Sequence, residues 1–210
     1  MCTRFYVEAE PFAPLITRAQ KLSLADSIMR QCSRPITMSG EMRPTDVAAI
    51  LAPNKEGKAA VFPMIWGFSH EAVTVPIVNC RIENADKKEL WKDSWYRRRC
   101  VVPCSWYFEW EHYTDRNGKK QTGAKYLIQE KESHITYLAG LYRLEERNGI
   151  QVPVFSIITR DAVGDLKQMH DRMPVILKKD DVVEWIKPDA SPGLIAERAT
   201  SEVFFERVGR

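Results

Sequence analysis

No stretch of this sequence approaches the roughly twenty consecutive apolar residues of a membrane-spanning helix, and no basic segment followed by a long apolar run opens it. A cytoplasmic protein without membrane contact is expected. The cysteines lack a framework: Cys2, Cys32, Cys80, Cys100 and Cys104 are odd in number and irregular in spacing, which favours free thiols over structural disulfides. Cys100 and Cys104 have no second Cys/His pair near them at metal-ligand spacing. They read as small buried residues of a strand, with no metal and no other cofactor expected. A strong excess of one charge is missing too; the formal net charge of +3 admits a nucleic-acid partner without demanding one. Repeats and low-complexity tracts are absent, and Pro and Gly are scattered rather than gathered into a linker. A single domain over residues 1–210 is expected.

The composition is that of a protein able to build a core, with 44% hydrophobic and 28% charged residues. Residues 1–7 are rich in β-formers and predict a strand. Leu22, Leu24, Ala25, Ile28 and Met29 recur at roughly helical spacing and predict a helix over 17–31. Residues 46–51 read as a strand or short helix, and 59–68 as a strand pair broken at Pro63. Trp91 and Trp95 lie one helical turn apart within a predicted helix over 85–99. In the following strand, 100–110, Trp106, Phe108 and Trp110 share one parity, while Tyr107 and Glu109 share the other, so Glu109 is expected to oppose an aromatic core face. Further β-rich runs cover 125–129, 135–142 and 152–159, with turns at Asn117-Gly118 and Asn148-Gly149. Helices are expected over 161–170 and over 180–187, the latter with Val182, Val183 and Ile186 inward, and strands over 174–177 and 202–208. The fold class is α+β: a mixed, barrel-like β-sheet core with interspersed helices.

The candidate for chemistry at the start of the chain is Cys2. Cysteine is small enough for the methionine before it to be trimmed, and a free N-terminal cysteine then presents an amine and a thiol on adjacent carbons. Their ordinary pKa values, about 7.7 to 8.0 and about 8.5, leave useful fractions of both nucleophiles near neutral pH. An aldehyde condenses with the amine to an imine, and the thiol adds to the same carbon, closing a five-membered thiazolidine with the advantage of an intramolecular step.

Four separated segments sharpen this reading: Met1-Cys2-Thr3-Arg4-Phe5, Pro76 to Glu83 (PIVNCRIE), Ser105 to Trp110 (SWYFEW) and Met169 to Pro174 (MHDRMP). In order and spacing they resemble the SOS-response-associated peptidase family, whose members cross-link to abasic sites in single-stranded DNA. The resemblance implies that Cys2, Asn79, Glu109 and His170 form the catalytic set. Glu109 would serve the amine and the imine as proton shuttle, His170 would exchange a proton with the deoxyribose oxygen, and Asn79 would orient Cys2 or the opened sugar. It also implies that Arg4, Arg81 and Arg172 face phosphates flanking the lesion and that Trp66, of a Trp66-Gly67 motif, belongs to the DNA-binding set. The implied partner is single-stranded DNA containing abasic sites, met by a monomer.

The sequence departs from the family in places. Where relatives carry paired tryptophans after the Trp-Gly motif, this chain has Ser69-His70-Glu71-Ala72-Val73, so the aromatic wedge against exposed bases is missing. Gly40 to Thr45 keeps only the proline of the usual pattern, and Thr3 replaces a glycine. Two other functions use the same residues: a thiol peptidase, acting mainly on its own N-terminus, with Cys2 as nucleophile and His170 or Glu109 as base, and a non-enzymatic binder of single-stranded nucleic acid. Since Cys2 follows Met1 directly, no propeptide is expected for self-cleavage to release. A lyase activity alongside the cross-link is a further expectation.

Overall fold

The computed structural model describes residues 2–209. β1 (Arg4–Val7) leads into α1 (Ala9–Gln20) and α2 (Ser23–Cys32), followed by β2 (Gly40–Met42), β3 (Val47–Pro53) and β4 (Ala59–Trp66). A hairpin of β5 (Phe68–His70) and β6 (Val73–Ile77) precedes β7 (Asn79–Arg81), α3 (Ile82–Ala85) and α4 (Glu89–Arg97). The long middle is β8 (Arg99–Cys104), β9 (Trp106–Thr114), β10 (Lys120–Glu130), β11 (Thr136–Arg147) and β12 (Ile150–Asp161). Last come α5 (Leu166–Met169), β13 (Arg172–Pro174), β14 (Ile176–Leu177), a 3-10 turn at Lys179–Asp181, α6 (Val182–Ile186), α7 (Pro192–Glu197) and β15 (Val203–Gly209).

The class is α+β, as expected, with a barrel at its centre. β3, β4, β12, β11 and β8 pair in a closed ring: β4 and β12 run parallel, the other neighbours antiparallel, and a single Leu51–Val101 pairing joins β3 to β8. Closure removes free sheet edges, and it lets β8 and β12 be buried along almost their whole length, which is why their sequences are continuous runs of Val, Ile, Phe and Cys. Gly140 is required inside this ring, because a Cβ there would sit 2.9 Å from the Cys100 sulfur and 3.2 Å from the Ser156 carbonyl oxygen. A second sheet, ordered β15-β10-β9-β1-β2, packs beside the barrel.

Ser105 is the corner where the chain leaves the barrel for this sheet. Its N–H donates to the Tyr6 carbonyl at 2.8 Å, its hydroxyl accepts the Glu8 N–H at 3.1 Å, and its carbonyl accepts the Thr136 hydroxyl at 3.2 Å. The expected single strand over 100–110 is therefore two strands in different sheets. The faces of β9 also differ from expectation. Tyr107 and Glu109 are buried, whereas Trp106 and Trp110 are half-buried on the outer side. The outer aromatics have polar or local cover: Trp106 stacks on Tyr6 at 4.6 Å, and the Lys125 ammonium sits 3.8 Å from the Phe108 ring centre and 5.4 Å from that of Trp110.

Smaller expectations were redrawn in the same way. The helix over 17–31 is two helices, since Leu22 is extended (ψ 135°) and breaks the run; their buried residues, Phe12, Ile16 and Ala19 on one and Ile28 on the other, cannot share one stripe. β4 runs through Pro63 unbroken. The helix over 161–170 shrinks to α5, because β12 extends to Asp161. In α6 the inward residues are Val182, Trp185 and Ile186, while Val183 is exposed. Trp91 and Trp95 of α4 are both buried, as their spacing predicted. Among the described residues no helix is long and apolar enough to cross a membrane. Met1, and with it the start of the strand predicted over 1–7, lies outside the described residues.

Candidate active site

β12 is the scaffold of the site. Its second half pairs on one side with β7, which sets Asn79 against Ile157 and Arg81 against Thr159, and on the other with β13, which sets Arg172 against Asp161. β1, held between β2 and β9, aims the residues before Arg4 toward this end of β12. There the Asn79 Nδ2 donates to the Cys2 carbonyl oxygen at 2.9 Å. β9 brings Glu109 from the opposite sheet, and α5 ends at His170, whose Nε2 lies 3.7 Å from the Glu109 Oε1. Four segments distant in sequence thus converge, carrying Cys2, Asn79, Glu109 and His170. Cys2 is completely buried, and Glu109 and His170 nearly so.

Burial sets the protonation states. It pushes the Cys2 thiol well above its ordinary range, and the Glu109 carboxylate nearby adds to the shift. The thiol stays protonated, its Sγ 3.7 Å from the Arg4 carbonyl oxygen as donor. Burial likewise raises the pKa of Glu109. For His170, burial first and the His112 ring among lesser causes lower the pKa to about 4; the two rings lie 4.2 Å apart between centres. These shifts argue against a permanent Glu109–His170 ion pair. The imidazole is neutral; its Nδ1 lies 2.9 Å from the Arg172 backbone N–H, which can only donate, and 3.1 Å from the Arg172 carbonyl oxygen, which can only accept, while Nε2 faces Glu109.

The residues expected to meet DNA are placed less uniformly. Arg81 is exposed. Arg4 is partly exposed, its Nε donating to Glu41 at 3.0 Å, and Glu41 also binds Lys125 at 2.8 Å. Arg172 is 7% exposed, with Nη1 held by Glu83 and Asp161 and Nη2 by Glu83 and the Thr159 carbonyl oxygen. Trp66 lies entirely inside the core, against Phe5 at 4.9 Å and Phe155 at 6.0 Å, with its indole N–H donating to the Val78 carbonyl at 3.2 Å. Its surroundings are those of a packing residue that steadies the strand before Asn79. Where the paired tryptophans of relatives would be, β5 and β6 form a hairpin with exposed Val73 and Val75.

Sequence reasoning missed Tyr107, which shares the buried face with Glu109. Its hydroxyl finds no hydrogen-bond partner among the described residues. Period-two spacing from Glu109 was the available signal. It also gave no role to Glu83 or Asp161, the carboxylates that hold Arg172. All five cysteines are unpaired thiols.

A barrel with an appended antiparallel sheet, and at their junction the buried Cys2, Glu109 and His170 beside the half-buried Asn79, defines the class: an α+β protein with a cluster of nucleophilic and titratable side chains near the chain start. The chain belongs to the SOS response associated peptidase (SRAP) family, whose model matches residues 1–204. It is similar to the abasic site processing protein YMR114C of Saccharomyces cerevisiae, 31% identical over 147 residues, which are 67% of this chain and 37% of the yeast protein. It is also similar to the abasic site processing protein YedK of Escherichia coli, 26% identical over 140 residues, 66% of this chain and 60% of that protein. The match therefore spans less than two thirds of either relative. A solved structure from Bacteroides thetaiotaomicron shares the fold, with a TM-score of 0.74 at 21% identity over 99% of this chain and 92% of the other. So does a phage-related protein of Bordetella bronchiseptica, with a TM-score of 0.68 at 19% identity over 100% and 95%.

Proposed function

We propose that this chain processes abasic sites: once Met1 is removed, Cys2 captures the ring-opened aldehyde of an abasic site in single-stranded DNA as a thiazolidine. The observation that carries the reading is the convergence of Asn79, Glu109 and His170 on Cys2 from segments far apart in the sequence. The names of the similar yeast and bacterial proteins point to the same substrate.

The chemistry follows from the protonation states. The Cys2 amine attacks the carbonyl carbon. Glu109, which holds its proton more tightly than a surface carboxyl, gives that proton to the departing hydroxyl and takes up the nitrogen proton of the carbinolamine, so that water leaves, the imine forms and the carboxyl is protonated again. The Cys2 sulfur then adds to the imine carbon, forming the S–C bond, while the Glu109 carboxyl group gives its proton to the ring nitrogen and takes the thiol proton in its place. Aldehyde plus aminothiol gives thiazolidine plus one water, with no change of oxidation state. Asn79 fixes the Cys2 carbonyl and so the direction of the amine. His170, neutral and with Nε2 facing the site, exchanges a proton with the sugar oxygen as the ring opens or recloses. Arg81 and Arg4 supply the cationic approach for flanking phosphates. The imine is also the point from which β-elimination would cleave the strand, so lyase product is expected as a minor companion.

A thiol peptidase would need a thiolate at Cys2, and burial together with Glu109 disfavours one. The order of events, amine first and thiol second, avoids that need. A denaturing gel tests the proposal. Processed protein shifts an abasic single-stranded oligonucleotide into a covalent, heat-stable band, and Cys2→Ala removes that band. A band that survives Cys2→Ala refutes the capture chemistry, and equal affinity for intact and abasic strands without any covalent product makes the chain a binder only.

A further inference from the structure

Arg143, Glu145 and Arg147 alternate along β11 and therefore share one face of that strand, where the β5–β6 hairpin meets them. Glu145 is the buried centre of the group. Its Oε1 accepts Arg143 Nε at 2.9 Å and Nη2 at 2.7 Å, and its Oε2 accepts Arg147 Nη2 at 2.9 Å. The Ser69 N–H and hydroxyl donate to the same two oxygens, at 2.9 Å and 2.8 Å. Against the upward push of burial, the bonds from Arg147, Ser69 and Arg143 hold the Glu145 carboxyl below its ordinary value and keep it ionised. The hairpin pins both guanidinium groups a second time. Arg143 donates Nη2 to the Ser69 carbonyl and lies 4.6 Å from the Phe68 ring centre, and Arg147 donates Nη2 to the Gly67 carbonyl at 3.4 Å. Nη1 of each arginine makes no hydrogen bond among the described residues.

Both arginines line an open cleft of about 770 Å³, together with Val73, Val75 and Pro76 of β6, and the two valines are exposed. Glu71, at the hairpin turn, is the one carboxylate among the lining residues, and Glu145 lies beneath them. A third guanidinium offsets these charges: Arg34 donates Nη1 to the carbonyl and hydroxyl oxygens of Thr45, which also lines the cleft, and has no carboxylate partner among the described residues. Pro76 precedes Asn79 by three residues, so this end of the cleft is at most about 11 Å from the capture site. We infer that the cleft is a second anchor for a nucleic-acid strand: Arg143 and Arg147, aimed by Glu145, take a backbone phosphate outside the capture site, with its sugar or base against Val73 and Val75. Guanidinium groups already held in place lose little freedom on binding, and each keeps a terminal nitrogen to donate. The apolar valines favour a phosphodiester over a free phosphate ion, which has nothing to set against them. That the ligand is a strand rests on the proposed function, whereas the anion site stands on the geometry alone.

Fluorescence anisotropy of a labelled single strand without any abasic site, followed over a range of salt, tests the anchor with no covalent step. The full chain with Met1 removed is compared as wild type, as the double variant Arg143→Gln with Arg147→Gln, and as the double variant Arg143→Lys with Arg147→Lys. Arg198→Gln is the control, since Arg198 is likewise held by two carboxylates, Asp181 and Glu184, but belongs to the region of α7. Loss of one phosphate contact should flatten the slope of log affinity against log salt by about 0.7 in the glutamine pair and weaken binding at low salt by about 10-fold. The lysine pair keeps the charge without the fork, so its slope should match wild type, with affinity lower by about two- to threefold. Arg198→Gln should change neither. A wild-type slope in the glutamine pair overturns the inference. So does a lysine pair that flattens as much as the glutamine pair, which makes the arginines a fastening of the hairpin, and so does an equal effect of Arg198→Gln, which leaves only net charge. Inorganic phosphate separates the two sources of the anion: at constant ionic strength, about 1 mM should leave strand binding unchanged, and displacement at that concentration overturns the strand as ligand. A wild type that forms no cross-link with abasic DNA but shows these slopes sinks the capture reaction and keeps the anchor, whereas one that binds no strand overturns the anchor.

Discussion

Glutamine at position 170 fills much of the imidazole's space but cannot titrate, so His170→Gln isolates what burial of this histidine does. The folded-state pKa of about 4, against 6.5 for an unperturbed imidazole, leaves a gap of about 2.5 units. The sign follows from which form the fold prefers. The native state holds the neutral ring, so the stabilisation is complete above pH 6.5, where the unfolded chain is also neutral, and is lost as pH falls from there toward 4. At about 1.36 kcal/mol per unit, the loss by pH 4.5 comes to roughly 2.5 kcal/mol. Urea unfolding of wild type and His170→Gln at pH 7.0 and 4.5 reads this as a difference of differences, in which carboxylates common to both proteins largely cancel. The wild type should lose more stability than the variant over that interval by about 2 to 3 kcal/mol, and a direct titration of the His170 ring should show no midpoint near 6.5. Parallel losses in the two proteins, or a ring that titrates near pH 6.5, refute the assignment of a buried neutral imidazole at position 170.

Three further outcomes follow from separate parts of the molecule. Gly67 has φ +117°, and a Cβ there would lie 2.5 Å from the Pro76 Cβ, so Gly67→Ala should destabilise by roughly 2 to 5 kcal/mol in thermal or urea unfolding, backbone strain adding to the clash. Glu145 is nearly buried between Arg143 at 2.7 Å and Arg147 at 2.9 Å and accepts the Ser69 hydroxyl at 2.8 Å; Glu145→Ala should cost about 2 to 3 kcal/mol, less than a fully enclosed pair because the arginines can rehydrate, and should loosen the β5–β6 hairpin in hydrogen exchange. Retaining one residue before Cys2 ties up the amine while leaving the thiol intact, so cross-linking should drop to the level of Cys2→Ala, checked by intact mass after incubation with abasic DNA.

How much of this was legible in the sequence depended on the range of the interaction. The barrel strands could be read as strands because both their faces are apolar, and Trp91 and Trp95 announced the inner face of α4. The alternation in β9 was equally visible, yet its sense was not. Three aromatics on one parity look like a core face, and only the fold shows that Tyr6 stacks over Trp106 and that Lys125 reaches across from β10 to cap Phe108 and Trp110. Those partners come from other strands, so parity alone left open which side water occupies.

The same reasoning separates the chemical residues from those that hold them. Asn79, Glu109 and His170 stood out because each lies in a short segment whose spacing could be compared with relatives. Arg172 stood out too, but a guanidinium looks alike in sequence whether it faces a phosphate or a carboxylate. In the fold it meets Glu83, far away along the chain and brought close because β12 pairs with β7 on one side and β13 on the other. A strand that carries one half of a site on each edge must keep those halves in register, and an ion pair spanning them does so at a point where backbone hydrogen bonds cannot reach. The segments that read as motifs therefore also carry, in Glu83 and Arg172, an ion pair that joins them.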